Sequence, residues 1–319
     1  MDQRKIEYFL AVVHHRNISR AAEVLRVSQP TLSRQIHALE HEFKTPLLMR
    51  HGRGVVPTEA GRRLHDGLRG LERQLRALRD DVVAASREPA GEVAIGIPPS
   101  PRTLLAVELM RRFCGAYPSV SVRISEETSG DIRDLLAQGE VDLAIVNSEE
   151  PLQSLAVDAL ATEPMMLAGP RSAKLSLKAS TPIERLAELP LILTTHPNSL
   201  RRMVELRLHD KGLRPKVRMQ ANTLPLMTDL VASGLGYTVL PSCSLMTRVK
   251  TGEISVSPLE GLHITWNIAR PVNRSLSVAA KLMLQHVFET VHELVQDGTW
   301  ALAEIAPDCC ATVTRRQPS

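Results

Sequence analysis

From Thr58 to about Arg87 the chain has no proline, and Leu64, Leu68, Leu71, Leu75, Leu78 and Val82 fall at alternating steps of four and three. That is the 3.5-residue repeat of a coiled-coil seam, with Arg, Glu and Asp filling the positions between. A long polar helix with so narrow an apolar stripe needs a partner helix. The repeat therefore predicts dimerisation through these six residues; the alternative is packing on a domain of the same chain. It also partitions the 319 residues, a length suited to two or three domains. A small module occupies residues 1–58. The helix and a hinge at Glu88-Pro89-Ala90-Gly91 make up 59–91, a larger domain covers 92–298, and a remainder runs over 299–319.

The first module reads as short helices. Ile6, Phe9, Leu10 and Val13 follow the spacing of an amphipathic helix. A second helix is expected from Ser19 as its N-cap, with Ala21, Ala22 and Leu25 on one side, small enough for close approach. Val27-Ser28-Gln29-Pro30 breaks the pattern. Ser28 or Gln29 can cap a third helix, and Pro30 suits its first turn, where the missing N–H costs nothing. Leu32, Ile36 and Leu39 face inward on that helix; Gln29, Thr31, Ser33, Arg34 and His37 face outward.

Two short helices joined by a tight turn, the second polar at its exposed N-terminal end, form a helix-turn-helix. Such a helix enters the major groove with its N-terminal residues at the base edges. Gln pairs with adenine, Arg with guanine, and Ser and Thr contact bases or phosphates. The candidate DNA contacts are thus Ser28, Gln29, Pro30, Thr31, Ser33 and Arg34. Pro46 to Val56 then reads as strand, glycine turn and strand, with Arg50 and Arg53 near the tip, a β-wing placed to hold phosphates or the minor groove. Residues 1–60 carry nine Lys and Arg against six Asp and Glu, so most of the chain's net charge of +4 lies in this module.

Beyond the hinge, strands at Val93–Ile97, Val120–Ile124 and Val141–Val146 alternate with helices at Leu104–Phe113 and Ile132–Leu136. Pro98-Pro99-Ser100-Pro101 reads as a turn. This βαβαβ order predicts a parallel sheet covered by helices. A second such unit follows, with short strands at Met165–Ala168, Leu191–Leu193, Lys216–Met219 and Tyr237–Leu240 and helices at Leu200–Leu208 and Leu224–Val231. A strand at His263–Ala269 and an amphipathic helix at Val278–Val295 close it. The fold class is α/β. Two lobes, 92–163 with 267–298 and 164–266, are crossed twice by the chain and leave a cleft. Three strand-to-helix turns offer small polar groups there: Ser100; Thr128 and Ser129; and Thr194 to Ser199, with His196 and Asn198 among them. Helix N-termini at such turns suit an anion, a carboxylate for instance. Residues 299–319 lose periodicity and are expected to form a mobile tail.

Several classes are disfavoured. Gly234-Leu235-Gly236 has Val239 where a dinucleotide-binding loop needs its third glycine, and it precedes a strand rather than opening a helix. No nucleophile elbow, phosphate loop or metal spacing appears, so neither an enzyme nor a cofactor or metal is expected. The apolar stretch Tyr8–Val13 is too short for a signal peptide, and no run is apolar enough to span a membrane. The four cysteines give neither a disulfide framework nor a zinc site. A cytoplasmic, nucleoid-associated protein is expected.

One resemblance gathers these features. Ala21-Ala22, Leu25, Val27-Ser28-Gln29-Pro30, Leu32-Ser33, Gln35-Ile36, Leu39-Glu40 and Thr58-Glu59-Ala60-Gly61 resemble the winged-helix signature of LysR-type transcriptional regulators. Leu48 and Pro57 depart from the family's usual Phe and Leu. Gly139-Glu140-Val141-Asp142-Leu143-Ala144-Ile145 and Gly234-Leu235-Gly236-Tyr237-Thr238-Val239-Leu240-Pro241 are similar to hallmarks of its sensor, a type 2 periplasmic-binding-protein-like fold. Pro98-Pro99-Ser100 and Leu191-Ile192-Leu193 with Pro197 to Arg202 look closest to a nitrogen-assimilation-control-like branch. The resemblance implies pairing through the long helix, assembly as tetramers, and an effector at Ser100 and Thr128, then Thr195, His196 and Asn198. The expected partners are a dyad-symmetric promoter, a small-molecule effector, a second copy of the chain, and RNA polymerase. The alternative is an architectural DNA-binding protein, against which the sensor lobes argue; a regulator that ignores ligands reads the same in sequence.

Overall fold

The computed structural model describes residues 2–51, 54–84, 88–147, 155–272 and 274–306. The chain divides into two compact units that part within the long helix after Leu78.

The first unit contains helices α1 (Gln3–His15), α2 (Ile18–Val24) and α3 (Gln29–Phe43), a hairpin of β1 (Leu48–His51) and β2 (Gly54–Pro57), and the start of α4 (Glu59–Ala84). Asn17, not Ser19, caps α2: its side chain accepts from the Arg20 N–H at 3.1 Å. The core joins Phe9, Val12, Ala21, Ala22, Leu32, Ile36 and Leu39 to Leu47, Val55 and Leu68. The predicted seam on α4 therefore divides. Leu68 is buried in this core and Leu64 packs against it, while Leu71, Leu75 and Leu78 are 46, 61 and 61% exposed. Nothing is described for the Val82 side chain, and residues 85–87 lie outside the described residues.

The second unit is α/β. Strands β3 (Gly91–Ile97), β4 (Val120–Glu126) and β5 (Leu143–Val146) pair in parallel, with α5 (Pro99–Ala116) and α6 (Ser129–Ala137) as crossovers. Asp142 accounts for its place in the sensor hallmark: its backbone N–H and its carboxylate join the Ala94 carbonyl and N–H, each at 2.8 Å, extending the β3–β5 contact. Helix α5 begins at Pro99, well before Leu104. Pro99 and Pro101 sit in its first turn, where no N–H partner is lost, so the predicted turn is helix.

The strands expected at 165–168 and 263–269 belong to two much longer ones, β6 (Leu155–Pro170) and β10 (Ile254–Pro271), paired antiparallel along their length. Pro164 and Pro258 obscure them in the sequence, since proline inside an apolar run argues against a strand. Both prolines flank a register shift between Pro258 and His263. At one end of this ribbon β10 pairs with β5. At the other, β6 pairs with β9 (Thr238–Pro241), beside which lie β7 (Leu191–Leu193), α7 (Ser199–His209), β8 (Val217–Gln220), α8 (Leu224–Ala232) and α9 (Met246–Lys250). Helix α10 (Val278–Gln296) returns over the first lobe.

The expectation of a mobile tail fails for its first part. Trp300 is 1% exposed, and β11 (Glu304–Ile305) pairs antiparallel with Thr162 and Ala161 of β6. An isolated tryptophan and a two-residue strand carry no periodicity. Residues 307–319, with Cys309 and Cys310, lie outside the described residues.

Where the ribbon passes between lobes, Glu163 is 1% exposed. Its carboxylate accepts from Trp266 Nε1 at 2.6 Å, from the Cys243 N–H at 2.7 Å and from the Ser242 hydroxyl. A buried carboxylate must be paired in this way, and removing it orphans three donors at once. Glu163→Ala should lower the unfolding free energy of the sensor unit by about 3 kcal/mol, read as a lower urea midpoint. An unchanged midpoint would mean that the donors find other partners.

Candidate functional site

The first unit presents α3. Ser28 caps it: Ser28 Oγ accepts from the Thr31 N–H at 3.3 Å and meets Thr31 Oγ1 at 2.8 Å. Gln29, Pro30 and Arg34 are exposed, and Thr31 and Ser33 are half-buried beneath them. Ser19, freed from capping, donates its hydroxyl to Gln29 Oε1 at 3.1 Å, which leaves the Gln29 amide N–H groups outward as donors. The six α3 candidates therefore lie on the first two turns of one helix.

Glu40, part of the recognised motif but without a role from sequence, ties that helix to the wing. Its Oε1 accepts from the Leu47 and Leu48 N–H groups at 2.9 and 3.1 Å, and its Oε2 meets His37 Nδ1 at 3.1 Å. The Thr58-Glu59-Ala60-Gly61 motif closes the base of the hairpin. Thr58 donates its hydroxyl to the Pro46 carbonyl at 2.7 Å and accepts the Gly61 N–H at 3.0 Å. A Cβ on Gly61 would stand 1.9 Å from the Leu47 carbonyl oxygen, so only glycine fits. At the other end, the Val55 N–H donates to the Arg16 carbonyl at 2.9 Å, with Gly54 at φ +142° closing against the same oxygen. Arg50 lies on β1; nothing is described for its side chain, and Arg53 lies outside the described residues.

The second unit has a cavity of about 430 Å³ between α6 and α7, one from each lobe, a volume within the range of small-molecule sites. Of the five residues expected at the effector site, Thr128, His196 and Asn198 line it; Ser100 and Thr195 do not. Ser100 is 3% exposed because α5 has already begun, folding that residue into the interior. Thr195 is held by Asn222, whose Oδ1 accepts from its N–H and its hydroxyl, both at 2.8 Å.

Thr128 and Asn198 are also caps. Thr128 donates its hydroxyl to Asp131 at 2.6 Å, and Asn198 Oδ1 accepts from the Leu200 and Arg201 N–H groups at 3.0 and 3.2 Å. His196 Nε2 stands 3.3 Å from Glu205, which also takes Arg201 Nε at 2.7 Å. The residue joining the two helix starts is Asn147. Its N–H donates to Ser129 Oγ at 3.3 Å, and its Oδ1 accepts from Ser199 Oγ at 3.1 Å. Asn147 is not among the residues expected from sequence, although it directly follows β5, and ligands of parallel α/β sheets sit beyond the carboxyl ends of strands. Arg133 and Arg202 add positive charge to the lining, and Asp134 adds negative.

Among the described residues no group of histidine, cysteine and carboxylate side chains could hold a metal, and no helix is long and apolar enough to cross a membrane. Among the described residues no cysteine lines the cavity. Cys114 is exposed on α5; Cys243 is buried, and burial next to Glu163 pushes its thiol well above the ordinary range.

Comparison with known proteins covers both units. Residues 3–62 match the bacterial regulatory helix-turn-helix protein, lysR family, and residues 86–291 match the LysR substrate binding domain. The nitrogen assimilation regulatory protein nac of Klebsiella aerogenes is 29% identical over 268 residues, 81% of this chain and 87% of that protein. Its Escherichia coli K12 counterpart is 27% identical over 300 residues, 93% of this chain and 97% of that protein. Among solved structures, full-length OxyR of Pseudomonas aeruginosa, in a substituted form, superposes with a TM-score of 0.69 at 23% identity, covering 92% of this chain and 95% of its own. Full-length CbnR complexed with its target DNA gives 0.66 at 20% identity, covering 91% and 100%.

The Glu40 contacts yield a prediction. Glu40→Ala removes the acceptor that docks the wing on α3 and should weaken promoter binding about tenfold, a loss of roughly 1.4 kcal/mol, with the helical circular dichroism kept. Full affinity in a gel-shift titration would mean that the wing is placed without Glu40.

Proposed function

The chain belongs to the LysR family of bacterial DNA-binding transcriptional regulators, and on that premise we propose that it reads a dyad-symmetric promoter site as a dimer or tetramer and answers to a small carboxylate held between its sensor lobes. DNA is read by Gln29 and Arg34, with Ser28, Pro30, Thr31 and Ser33 fixing the start of α3 and Arg50 and Arg53 on phosphates. Two copies pair along α4 through Leu71, Leu75, Leu78 and Val82. RNA polymerase is met at the promoter, and the protein works in the cytoplasm, on the nucleoid.

The observation that carries the effector reading is the cavity in which the N-termini of α6 and α7 face each other across Asn147. Two helix starts add their partial positive charges there. Asp131 meets Thr128, and Glu205 meets Arg201 and His196; Arg133 and Arg202 bring positive charge to a lining that also holds Asp134. The bond from Ser199 to Asn147 favours a second reading. It joins the lobes through protein groups alone, as a regulator without an effector would require.

Three experiments test these readings. Gln29→Ala with Arg34→Ala should abolish sequence-specific gel shifts while leaving the oligomer intact; retained operator binding would reject α3 as the reader. Leu71→Glu with Leu78→Glu should move the protein to a smaller species on size exclusion, and an unchanged profile would reject pairing along α4. In a thermal-shift panel of small mono- and dicarboxylates, at least one should stabilise the protein, by about 2.7 kcal/mol at a hundred times its Kd. Thr128→Ala with Arg202→Ala should remove that shift. If no carboxylate shifts the wild type, the effector-independent reading stands instead.

A further inference from the structure

Residues 297–306 do not belong to either lobe's own βαβ pattern, and they lie beyond the matched sensor segment, which ends at residue 291. They return to one place, the stretch of β6 that passes between the lobes. Toward the second lobe, β6 pairs with β9 from Met165 onward; toward the first, β10 pairs with β5 from Asn267 onward. Between these limits only the β6–β10 ribbon continues, and it carries a register shift between Trp266 and Asn267.

Here β11 lies on the free edge of β6. Glu304 pairs with Thr162 and Ile305 with Ala161, opposite Thr265 and Trp266 on the other side. The Ala306 N–H donates to the Leu160 carbonyl at 3.2 Å. Two further ties hold the segment. Trp300 is buried in the main core of this unit, and the Ala301 carbonyl lies 3.1 Å from Ser242 Oγ, whose one hydrogen it shares with Glu163. Ser242 is also one of the donors to Glu163, so the segment joins the buried polar cluster at the crossing.

We propose that residues 297–306 are a splint on the inter-lobe hinge, which sets how stiffly the two lobes are held relative to each other. A two-stranded ribbon is a marginal structure, and a third strand stiffens it. The third strand pairs with the crossing: β11 pairs with β6 and with neither the β3–β4–β5 sheet nor β9, and its outer neighbour is α10. Its anchor, Trp300, is separate from its pairing residues, so the two can be removed independently. The hinge rests on the two-lobe architecture alone and does not depend on an effector being a carboxylate.

Amide hydrogen exchange on three full-length-derived proteins tests this. One is the whole chain, one ends at Ala306, and one ends at Leu302. The Leu302 form keeps Trp300 and the Ala301 carbonyl; against the Ala306 form it loses Ala303, β11 and Ala306, of which Ala303 and Ile305 pack on the edge of the main core. The expected result is exchange at residues 160–163 faster by roughly tenfold in the Leu302 form, unchanged in the Ala306 form, with β3 and β9 amides as protected as in the whole chain. Equal protection at residues 160–163 in all three proteins would overturn the proposal. So would a rise in the Leu302 form spread evenly over β3, β9 and the crossing, which would make β11 a general stabiliser. If the Leu302 form fails to fold, Ala306→Pro in the whole chain removes the N–H given to Leu160, and the same local rise or its absence decides.

Discussion

The sensor unit depends on one buried carboxylate. Glu163 sits where β6 leaves the first lobe for the second, and three donors from two separate segments converge on it: Trp266 on β10, and the adjacent Ser242 and Cys243 after β9. Charge in an apolar interior is tolerated only when it is paired and hydrogen-bonded. The pairing fixes the crossing in one arrangement, because a slip of β10 by one residue would turn Trp266 to the other face of the ribbon. Everything that makes the cleft follows from that crossing. The ribbon spaces the lobes, α6 and α7 meet across the gap, and Asn147 bridges their first turns.

The DNA-binding unit solves a related problem with a half-buried carboxylate. Two strands of four residues form no stable hairpin by themselves. Glu40 on α3 accepts two hairpin N–H groups, so helix and wing are set by the same side chain. Thr58 and Gly61 hold the same base of the hairpin against the start of α4. The motif residues that are not surface contacts are accounted for by these joints.

The sequence made legible what has a period or a cap. The α3 cap at Ser28, the inward Leu32, Ile36 and Leu39, and the strands around Val93–Ile97 and Leu143–Val146 are found where their spacing places them. Less legible were features that depend on distant partners. Asn17 and Ser19 are both good caps on paper, and only the Ser19–Gln29 contact separates their roles. Leu64 and Leu68 obey the heptad as well as Leu71 does, yet they are drawn into the core of the first unit. Ser100 and Thr128 both occupy strand-to-helix turns, but an earlier helix start buries one and leaves the other at the cavity. Trp300 and β11 have no local signal at all, because their stability comes from a strand more than a hundred residues earlier.

The proposed reading of DNA by a symmetric pair requires a symmetric site. Selection of bound sequences from a random duplex pool with the full-length protein tests it most directly. The account predicts enrichment of an inverted repeat whose half-sites lie about one helical turn, roughly 10 base pairs, or a multiple of it apart. Enrichment of a single unpaired half-site, or of no motif, would contradict it.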